Sequence, residues 1–564
     1  DGVLISQSED FICNSAYIPL GHIFENKQIP LKEALDTIKP LLENTTTSKV
    51  LHNAKYDIHV LKNYDINLDN VSMDTMLASY IDDPSNKHGL KHLAMQKFQY
   101  IMTEYEELAG KGKNQITLDK VEVDKVAEYA CLDSGMTLKL ANYYAAKLNE
   151  KDQELLYNME IPLMHVLTYM ERNGIGLDTD YLKELSIKLS ESLEKLEGQI
   201  YEIANYPSKF NLNSPKQLGD VLFEHMGLPA KGKTKTKSGY STSAKVLETL
   251  AKDYEIAQLI LEYRHLAKLK STYIDSLPKL INLNDKRIHT SFNQAITTTG
   301  RLSSSDPNLQ NIPIRTELGN SIRKAFIPDK TKDNCLLAAD YSQIELRFLA
   351  DLSKEANLIE AFNNNVDVHS STACKVFGVT LENVTKDMRR KAKAVNFGII
   401  YGQTAYGLSE ALDITPGEAK AFIQKYFETY PGVKEYMDKS VLEAHKKGYV
   451  VTKFGRKRFF ANELGSSNRM IKEFAERAAI NSPLQGSAAD LIKIAMINLY
   501  KKLNELKLNS KMLLQVHDEL VLEVPKNELD QVKELVKDCM ENACQLSVPL
   551  LVDICVGDNW MEAK

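Results

Sequence analysis

The sequence predicts a multidomain protein of mixed α/β and α+β class, with an α/β domain over residues 1–150 and a larger mixed domain over residues 151–564. The chain has 564 residues, which is too long for a single hydrophobic core. Short apolar strands alternate with helical patterns in the first domain, as in α/β folds. Long helical patterns follow, and from residue 281 strands and helices mix again to the C-terminus.

The composition narrows the class of protein. Hydrophobic residues make up 43% and charged residues 26%, as in ordinary globular proteins. No apolar run approaches the roughly 20 residues of a membrane span, so no membrane partner is expected, and no signal peptide is visible. The seven cysteines form no CxxC pair, which argues against a structural zinc or a disulfide framework and suits a reducing compartment.

Three segments justify the α/β assignment of the first domain. "YIPLGHIF" (17–24) predicts a strand, and "LKEALDTIKPLLE" (31–43) predicts an amphipathic helix. "KVLHNAKYDIHVLKNY" (49–64) predicts a strand that runs into a helix.

Two helical patterns at 178–204 and 243–277 predict an antiparallel arm. The loop between them alternates lysines with Gly, Ser and Thr. It is interpreted either as a solvated, mobile loop or as a cationic tip that follows a phosphate backbone, although the net charge of the chain is −6. The lysines of this loop are Lys231, Lys233, Lys235 and Lys237.

Acidic residues end two apolar runs in the larger domain. The run 336–339 ends at Asp340, and "KMLLQVHDELVLEVP" (511–525) predicts a β-hairpin with Asp518 and Glu519 near its turn. Burying an acid without a counter-ion is costly, so either the turn is exposed or a metal ion lies there. If Asp340 and Asp518 meet, they suit two Mg²⁺ ions, with Mn²⁺ as a substitute, for in-line phosphoryl transfer.

"RRKAKAVNFGIIYG" (389–402) places two cations and two aromatic rings on one broad helical stripe. Arg389 and Lys393 would meet the phosphates of a nucleoside triphosphate, and Phe397 and Tyr401 its sugar and base, with Thr385 as the N-cap. An ordinary amphipathic helix with surface cations and core aromatics is the alternative.

Two glycines in the same segment weigh against that alternative. Gly398 and Gly402 lie within the helical pattern, where each glycine costs about 1 kcal/mol relative to alanine. This cost indicates either the close approach of another group or a hinge.

Five motifs then show a resemblance to family A DNA polymerases. "DYSQIELR", "RRKAKAVNFGIIYG" and "QVHDELV" resemble motifs A, B and C, and "TTTGRLSSSDPNLQNIPIR" and "AERAAINSPLQGSAADLIK" resemble two further blocks. The resemblance covers essentially the whole chain. It implies an RNase H-like 3′→5′ exonuclease domain followed by a right-hand polymerase domain, with the thumb at about 178–280, the palm at about 281–350 and 476–564, and the fingers at about 351–475.

The resemblance implies roles for particular residues of the polymerase domain. Glu345 matches the side chain that excludes a ribose 2′-hydroxyl. Catalysis is implied for Asp340, Asp518, Glu519 and Lys393, with metal held by Asp340, Asp518 and the Tyr341 carbonyl. Deoxynucleotide contacts are implied for Tyr341, Gln343, Glu345, His369, Arg389, Lys393, Phe397 and Tyr401. DNA contacts are implied for the four loop lysines and for Arg301, Arg315, Arg477, Asn481, Gln485 and His517.

The first domain resembles the proofreading exonuclease of the same family. "HNAKYD" and "YACLD" match its motifs, which implies that two aspartates bind metal and a tyrosine orients the attacking water. The matched residues are Asn53, Asp57, Tyr129 and Asp133. The family pattern also needs an Asp-x-Glu pair on the first strand, which the adjacent Glu9 and Asp10 do not supply. We therefore expect an N-terminally incomplete domain and no efficient exonuclease from this chain.

The sequence thus predicts a monomeric, template-directed DNA polymerase that binds primer–template DNA and deoxynucleoside triphosphates in replication or repair. A bacterial cytoplasm, or the matrix of an organelle of bacterial descent such as a plastid, is the expected location. Three alternatives remain: a single-subunit RNA polymerase, a catalytically inactive DNA-binding scaffold and a nuclease alone. Glu345 and the exonuclease-like domain argue against the first, retention of Asp340 and Asp518 against the second, and the incomplete exonuclease motif set against the third.

Overall fold

A computed structural model describes residues 4–7, 14–25, 27–229, 235–236, 239–314 and 316–564. Several residues singled out from the sequence lie outside this part of the chain, and of Lys235 only the backbone is described. The residues outside are Glu9, Asp10, Lys231, Lys233, Lys237 and Arg315. Within the described ranges, no helix combines the length and the apolar character that crossing a membrane requires.

The N-terminal domain is the α/β unit that the sequence predicts. It holds an antiparallel pair, β1 (Leu4–Gln7) and β2 (Asn14–Tyr17), and a parallel pair, β3 (Lys49–Leu51) and β4 (Val71–Asp74). Its helices are α1 (Leu31–Leu42), α2 (Ala54–Lys62), α3 (Thr75–Asp82), α4 (Leu90–Phe98), α5 (Tyr105–Ala109) and α6 (Val123–Lys147), with 3₁₀ turns at Gly112–Asn114 and Leu118–Lys120.

The predicted strand at 17–24 is wrong, because β2 ends at Tyr17 and the following residues form no strand. Pro19 lacks the N–H that a strand ladder needs, and Gly21 is a poor strand former. The helix predicted at 31–43 and the strand and helix predicted at 49–64 are present as α1, β3 and α2.

The central segment contains the two predicted helical patterns. The first is the single 26-residue helix α9, whereas the second is divided at residues 251–254 into α11 and α12. These elements pack around a small core of their own, which includes Ile200, Leu222 and Ile260. In chain order the segment consists of α7 (Glu150–Leu155), a π turn (Leu156–Glu160), α8 (Ile161–Asn173), β5 (Ile175–Leu177), α9 (Thr179–Ala204), α10 (Pro215–Gly219), a π turn (Asp220–His225), β6 (Lys235–Thr236), β7 (Gly239–Tyr240), α11 (Ala244–Leu250), α12 (Glu255–Leu269) and a π turn (Lys270–Ile274).

Short elements lead from the central segment to the main sheet. A 3₁₀ turn (Leu277–Leu280) precedes β8 (Arg287–Ile288), β9 (Ser291–Asn293), β10 (Ser303–Ser305), α13 (Glu317–Lys324) and β11 (Phe326–Ile327). The main sheet is antiparallel with strand order β15-β16-β12-β17. Its strands are β12 (Asn334–Tyr341), β15 (Lys511–Val516), β16 (Glu519–Pro525) and β17 (Val552–Gly557).

A mostly helical insertion separates β12 from β15, and one further helix precedes β17. The insertion contains α14 (Ile344–Ser353), α15 (Ala356–Asn363), α16 (Val368–Phe377), a 3₁₀ turn (Leu381–Asn383), α17 (Lys386–Ile400), α18 (Ala405–Leu412), α19 (Pro416–Thr429), α20 (Pro431–Lys447), β13 (Tyr449–Val451), β14 (Lys457–Phe459), α21 (Ala461–Leu464) and α22 (Arg469–Glu505). A 3₁₀ turn (Lys526–Glu528) and α23 (Leu529–Glu541) follow β16. Buried residues of α8, α14, α22 and the sheet belong to one large core.

A fully buried cluster of four charges joins distant parts of the chain. Arg456 Nη2 donates to Glu160 Oε1 at 2.5 Å and to Asp490 Oδ1 at 2.6 Å, and Lys493 Nζ donates to Glu160 Oε1 at 2.7 Å. The two acids and two bases balance one another, so the cluster has no net formal charge. Charges buried in this way are tolerated only because each is paired.

We expect Arg456→Met to reduce the free energy of unfolding by about 3–5 kcal/mol, because it leaves two buried acids with one cation. Urea denaturation followed by circular dichroism measures this change. Lys434→Met is the control, since Lys434 forms an exposed helical pair with Asp438, and it should change stability by no more than about 0.5 kcal/mol. Equal effects of the two substitutions would contradict this account of the cluster.

A second buried acid, Glu171, connects helix α2 of the N-terminal domain to the rest of the chain. Its carboxylate accepts hydrogen bonds from Lys55 Nζ, from His59 Nε2 at 2.6 Å and from the Phe292 backbone N–H at 2.6 Å. Lys55 and His59 lie two residues on either side of Asp57, so the helix that carries this site aspartate is anchored outside its own domain.

Candidate functional site

The main sheet brings the two distant aspartates together. Asp340 is the penultimate residue of β12 and lies opposite Glu519 of β16. Asp518 lies in the two-residue turn of the β15–β16 hairpin, and its carbonyl accepts a hydrogen bond from the Tyr341 N–H at 3.2 Å. The predicted hairpin is therefore present, and both aspartates occupy the same end of the sheet.

The electrostatics of this pair favour a bound cation. Burial raises the pKa of Asp340 to about 6, and the nearby Glu519 adds to the rise. Burial also raises the pKa of Asp518 to about 6, where Arg301 opposes the rise and Glu345 and Asp340 add to it. Two carboxylates that share a poorly solvated site repel each other, and a cation between them would relieve that repulsion.

Glu519 is turned into the fold. Its Oε1 accepts from the indole N–H of Trp560 at 2.7 Å, and its Oε2 accepts from Lys564 Nζ at 2.9 Å. The buried Arg323 guanidinium lies over the Trp560 ring at 3.9 Å from its centroid. Glu519 thus lies beside the aspartate pair, and both of its carboxylate oxygens accept hydrogen bonds from side chains of the protein.

No set of three or more His, Cys, Asp or Glu side chains that could hold a metal ion occurs among the described residues. A Mg²⁺ ion commonly takes only one or two protein carboxylates and completes its shell with water and substrate phosphates. The Asp340–Asp518 pair suits that mode of binding, whereas zinc prefers a closed set of His and Cys ligands.

Helix α17 presents the predicted stripe. It begins after Thr385, whose hydroxyl accepts from the Met388 N–H at 3.2 Å, so the predicted N-cap is present. Arg389 forms a two-pronged ion pair with Asp367, with N–O distances of 2.9 and 3.0 Å. The exposed Lys393 has no hydrogen bond or ion pair with any described residue, so its ammonium is available to an anion.

The aromatic half of the stripe adjoins two polar side chains. The ring of Phe397 lies 5.6 Å from that of the buried His369. Burial lowers the pKa of His369 to about 4, so its ring is neutral near pH 7. The Asn396 amide lies 3.0 Å from Nδ1 of that ring, and donation from this amide places the ring proton on Nε2. Tyr401 directly follows the helix.

Glu345 connects the end of helix α17 to the aspartate pair. The carboxylate is buried, with one oxygen accepting from Tyr401 OH at 2.8 Å and the other from Arg301 Nη2 at 2.8 Å. Arg301 also counteracts the rise in the pKa of Asp518. The sequence indicated each of these side chains separately but not the bridge that they form.

The two glycines of the stripe have the close neighbours that the sequence indicates. A Cβ on Gly398 would lie 2.5 Å from Gln403 Oε1, and a Cβ on Gly402 would lie 2.7 Å from Arg477 Cγ. Gly402 also has a φ of +62°, which a residue with a side chain rarely adopts. The expectation that Gly402 lies inside the helix is wrong, because helix α17 ends at Ile400; its positive φ and its contact with Arg477 account for this glycine. Gly398 does lie inside the helix, and the atom nearest to it is the end of the Gln403 side chain.

Helix α22 carries Arg477, Asn481 and Gln485 at four-residue intervals on one partly exposed face. The same face continues toward the helix N-terminus through Phe474 and Met470, which are 59% and 78% exposed. Sequence reasoning missed this apolar extension, although spacings of three and four residues in front of Arg477 would have revealed it.

Two further predicted site residues, His517 and Gln343, lie close in the chain to the elements that carry the aspartate pair. His517 is exposed in the hairpin turn, with a φ of +55°. Gln343 precedes helix α14 with a φ of +53°, and its buried Oε1 has no hydrogen-bond partner among the described residues. The structure therefore leaves a carbonyl oxygen at Gln343 that a ligand donor could satisfy.

A second candidate site lies in the N-terminal domain. A cavity of about 830 Å³ is lined by Asp57, Tyr129 and Asp133, among other residues. Burial raises the pKa of Asp57 to about 6, with Asp74 adding to the rise, and burial also raises the pKa of Asp133. Asn53 does not line the cavity but precedes helix α2 in a left-handed conformation.

Comparisons with known proteins agree with this two-site arrangement. Residues 179–562 match the model of "DNA polymerase family A", and residues 1–149 match that of "3'-5' exonuclease". The chain is 47% identical over 547 residues to DNA polymerase I of Bacillus subtilis, covering 96% of this chain and 61% of the relative. It is 45% identical over 557 residues to DNA polymerase I of Pseudomonas aeruginosa, covering 97% and 60%.

A solved structure is also similar. It is the POL domain of Pol1 from M. smegmatis in complex with DNA primer-template and dNTP. The TM-score is 0.86 at 38% sequence identity, and the match covers 98% of this chain and 91% of that one. By contrast, the chain spans only about 60% of the length of the curated relatives named above.

Proposed function

The chain belongs to DNA polymerase family A, and on that basis we propose that it is a template-directed DNA polymerase that adds deoxynucleotides to a primer 3′ end as a monomer. The observation that carries the proposal is the meeting of Asp340 and Asp518 at one end of the main sheet. Tyr401, which follows helix α17, donates to Glu345, and the charge of Glu345 acts on Asp518. The arrangement serves replication or repair, in a bacterial cytoplasm or an organelle of bacterial descent.

Asp340, Asp518 and the Tyr341 carbonyl would hold the divalent cations. When bound, two Mg²⁺ ions, or Mn²⁺ in their place, supply charge stabilisation for in-line attack of the primer 3′-hydroxyl on the α-phosphate. The chain contributes Lys393, whose ammonium has no partner among the described residues; it neutralises the triphosphate and donates a proton to the leaving pyrophosphate. His369, with its proton on Nε2, donates a hydrogen bond to a phosphate oxygen. Arg389 joins these contacts after leaving Asp367.

The partly exposed face of helix α22 suits the minor groove of the primer–template. Arg477, Asn481 and Gln485 bring hydrogen-bond donors, and the acceptors on the minor-groove edges occur in every base pair. Such donors test the shape of a pair without reading its sequence, which a polymerase that copies any template requires. The bound DNA of the M. smegmatis relative is consistent with this partner.

Magnesium-dependent primer extension tests the proposal directly. The chain should add the templated deoxynucleotide to a labelled primer in Mg²⁺ but not in excess EDTA, and changing one template base should change the nucleotide added. Extension without template dependence, or none with any divalent cation, would refute the proposed function.

We expect Glu345→Ala to admit ribonucleotides, raising the ratio of ribonucleotide to deoxynucleotide kcat/KM by at least about tenfold, because it removes a buried obstacle near the sugar and frees Tyr401. Single-nucleotide extension with matched triphosphates measures this ratio. Glu360→Ala, an exposed glutamate, is the control. Ribonucleotide use by the unaltered chain would instead favour a single-subunit RNA polymerase.

For the N-terminal domain we propose that the cavity lined by Asp57, Tyr129 and Asp133 receives the 3′-terminal nucleotide of a single-stranded primer end. The acidic lining and the match to the 3′-5′ exonuclease model support this assignment. Asp57 and Asp133 would hold the metal ion of such a site. We divide the chain at about residue 150 between this domain and the polymerase domain.

A further inference from the structure

Lys91 occupies a defined position in the N-terminal cavity. It lies in the first turn of helix α4, and its Nζ donates to the Tyr129 hydroxyl at 2.9 Å while lying 4.2 Å from the centre of the Tyr129 ring. Its side chain is only 17% exposed. Two simultaneous contacts on one half-buried tyrosine hold the ammonium in place at the cavity wall.

Lys91 keeps hydrogen-bond donors without a described partner, although three acids, Asp57, Glu104 and Asp133, also line the cavity. Glu104 is its nearest acid, but the 3.9 Å distance between Lys91 Nζ and Glu104 Oε2 is too long for a hydrogen bond. Of the described cavity-lining residues, Lys91 is the only Lys or Arg. An ammonium has three donors, and Tyr129 uses one of them.

Asp133 lines the same cavity. Asp133 Oδ1 is buried and has no hydrogen-bond partner among the described residues. The Lys91 charge and the Tyr129 hydroxyl both act on the Asp133 carboxylate. A cation and an unpartnered carboxylate oxygen thus flank the same tyrosine, and a nucleotide offers both a phosphate anion and hydroxyl donors to such a site.

We propose that Lys91 binds the phosphate of the 3′-terminal nucleotide directly, so that the cavity retains a nucleotide without any metal ion. The inference rests on the proposed role of the N-terminal cavity and assigns that role a residue which the family motifs do not include. The volume of about 830 Å³ is sufficient for a mononucleotide. Lys91 would hold the phosphate in place while leaving Asp57 and Asp133 to the metal.

Calorimetric titration with thymidine 5′-monophosphate in EDTA tests the proposal. The unaltered chain should bind the mononucleotide, and Lys91→Met should weaken binding about tenfold, because a charge-assisted hydrogen bond is lost. Lys91→Arg retains the charge and should restore most of the affinity. No measurable binding by the unaltered chain, or equal affinity in Lys91→Met, would overturn the proposal.

Two control variants separate this site from general effects of charge. Lys97 lies on the same helix with the same 17% side-chain exposure and also lies over a tyrosine, but it does not line the cavity. Lys97→Met should therefore bind the mononucleotide normally, and an equal loss would overturn the proposal. Lys393→Met should also bind normally, because it alters only the polymerase site. A loss there would place the mononucleotide in that site and overturn the proposal.

Primer extension distinguishes a failure of the polymerase proposal from a failure of the Lys91 proposal. Lys91→Met should extend a primer as fast as the unaltered chain, because Lys91 lines the N-terminal cavity, and neither Asp340 nor Asp518 does. If the chain fails in primer extension but still loses mononucleotide binding on Lys91 substitution, the polymerase proposal fails and the Lys91 proposal stands.

Discussion

Asp518→Asn is expected to slow primer extension by at least about 100-fold, because the amide removes one of the two anions that would hold the divalent cations under the proposed function. Single-turnover extension at saturating deoxynucleotide measures the loss. Asp553→Asn is the matched control, since Asp553 pairs with Asp340 in the strand register but is exposed. That variant should stay within about twofold of the unaltered rate. Equal losses would show that the net charge of the sheet end, not Asp518 itself, matters.

The same substitution should stabilise the metal-free protein. Asp518 has a pKa of about 6 in the folded chain against 3.8 ordinarily, so the folded state binds protons more tightly between these values. The unaltered chain therefore gains stability as pH falls from 7 toward about 4. The Asp518→Asn variant has no buried carboxylate to ionise at this position. Its melting temperature in EDTA should therefore exceed that of the unaltered chain at pH 7.5. The difference should close near pH 4.

With Mg²⁺ present, the unaltered chain should have a higher melting temperature than Asp518→Asn. A cation bound between the carboxylates stabilises the folded state by mass action, so added Mg²⁺ should raise the melting temperature of the unaltered chain. Asp518→Asn should respond little. A metal-independent melting temperature in both proteins would argue against a cation at this end of the sheet.

Lys393→Ala is expected to lower kcat/KM for deoxynucleotides by about 10²–10³-fold. Its ammonium is exposed, unpaired among the described residues and placed on the helix face that also carries Phe397. Pre-steady-state extension over a range of deoxynucleotide concentrations separates binding from chemistry. A loss confined to KM would assign Lys393 to binding alone.

Lys391→Ala is the matched control for that experiment. Lys391 lies two residues earlier on the same helix but pairs with Asp387 at 2.8 Å. Its substitution removes the same charge from a neighbouring position and should change kcat/KM by no more than about twofold. An equal effect of both substitutions would indicate a general electrostatic field rather than a positioned ammonium.

The sequence predicts the positions of candidate site residues well where residues adjacent in the chain determine the local structure. Asp340 follows an apolar strand, Asp518 occupies a hairpin turn and Thr385 caps a helix, and each is set by residues adjacent in the chain. Their functional roles remain predictions, since the fold shows where they lie and not what they bind.

The contacts between these positions could not be predicted, because residues far apart in the chain form them. Arg389 pairs with Asp367, and Glu345 bridges Tyr401 and Arg301, across separations that no periodicity encodes. The same holds for Glu519, whose partners follow it by 41 and 45 residues. Only packing determines which of many polar groups become neighbours.

The anchoring of helix α2 by Glu171 has a consequence for the cooperativity of the molecule. Lys55 and the partly exposed His59 both pair with the buried Glu171 carboxylate, so separating the N-terminal domain from the rest of the chain would leave this acid without two of its partners. We therefore expect the two domains to unfold in one cooperative transition, and the distance between the two candidate sites to be set when the chain folds. A truncated chain without α2 would keep the Glu171 carboxylate but lose its partners Lys55 and His59.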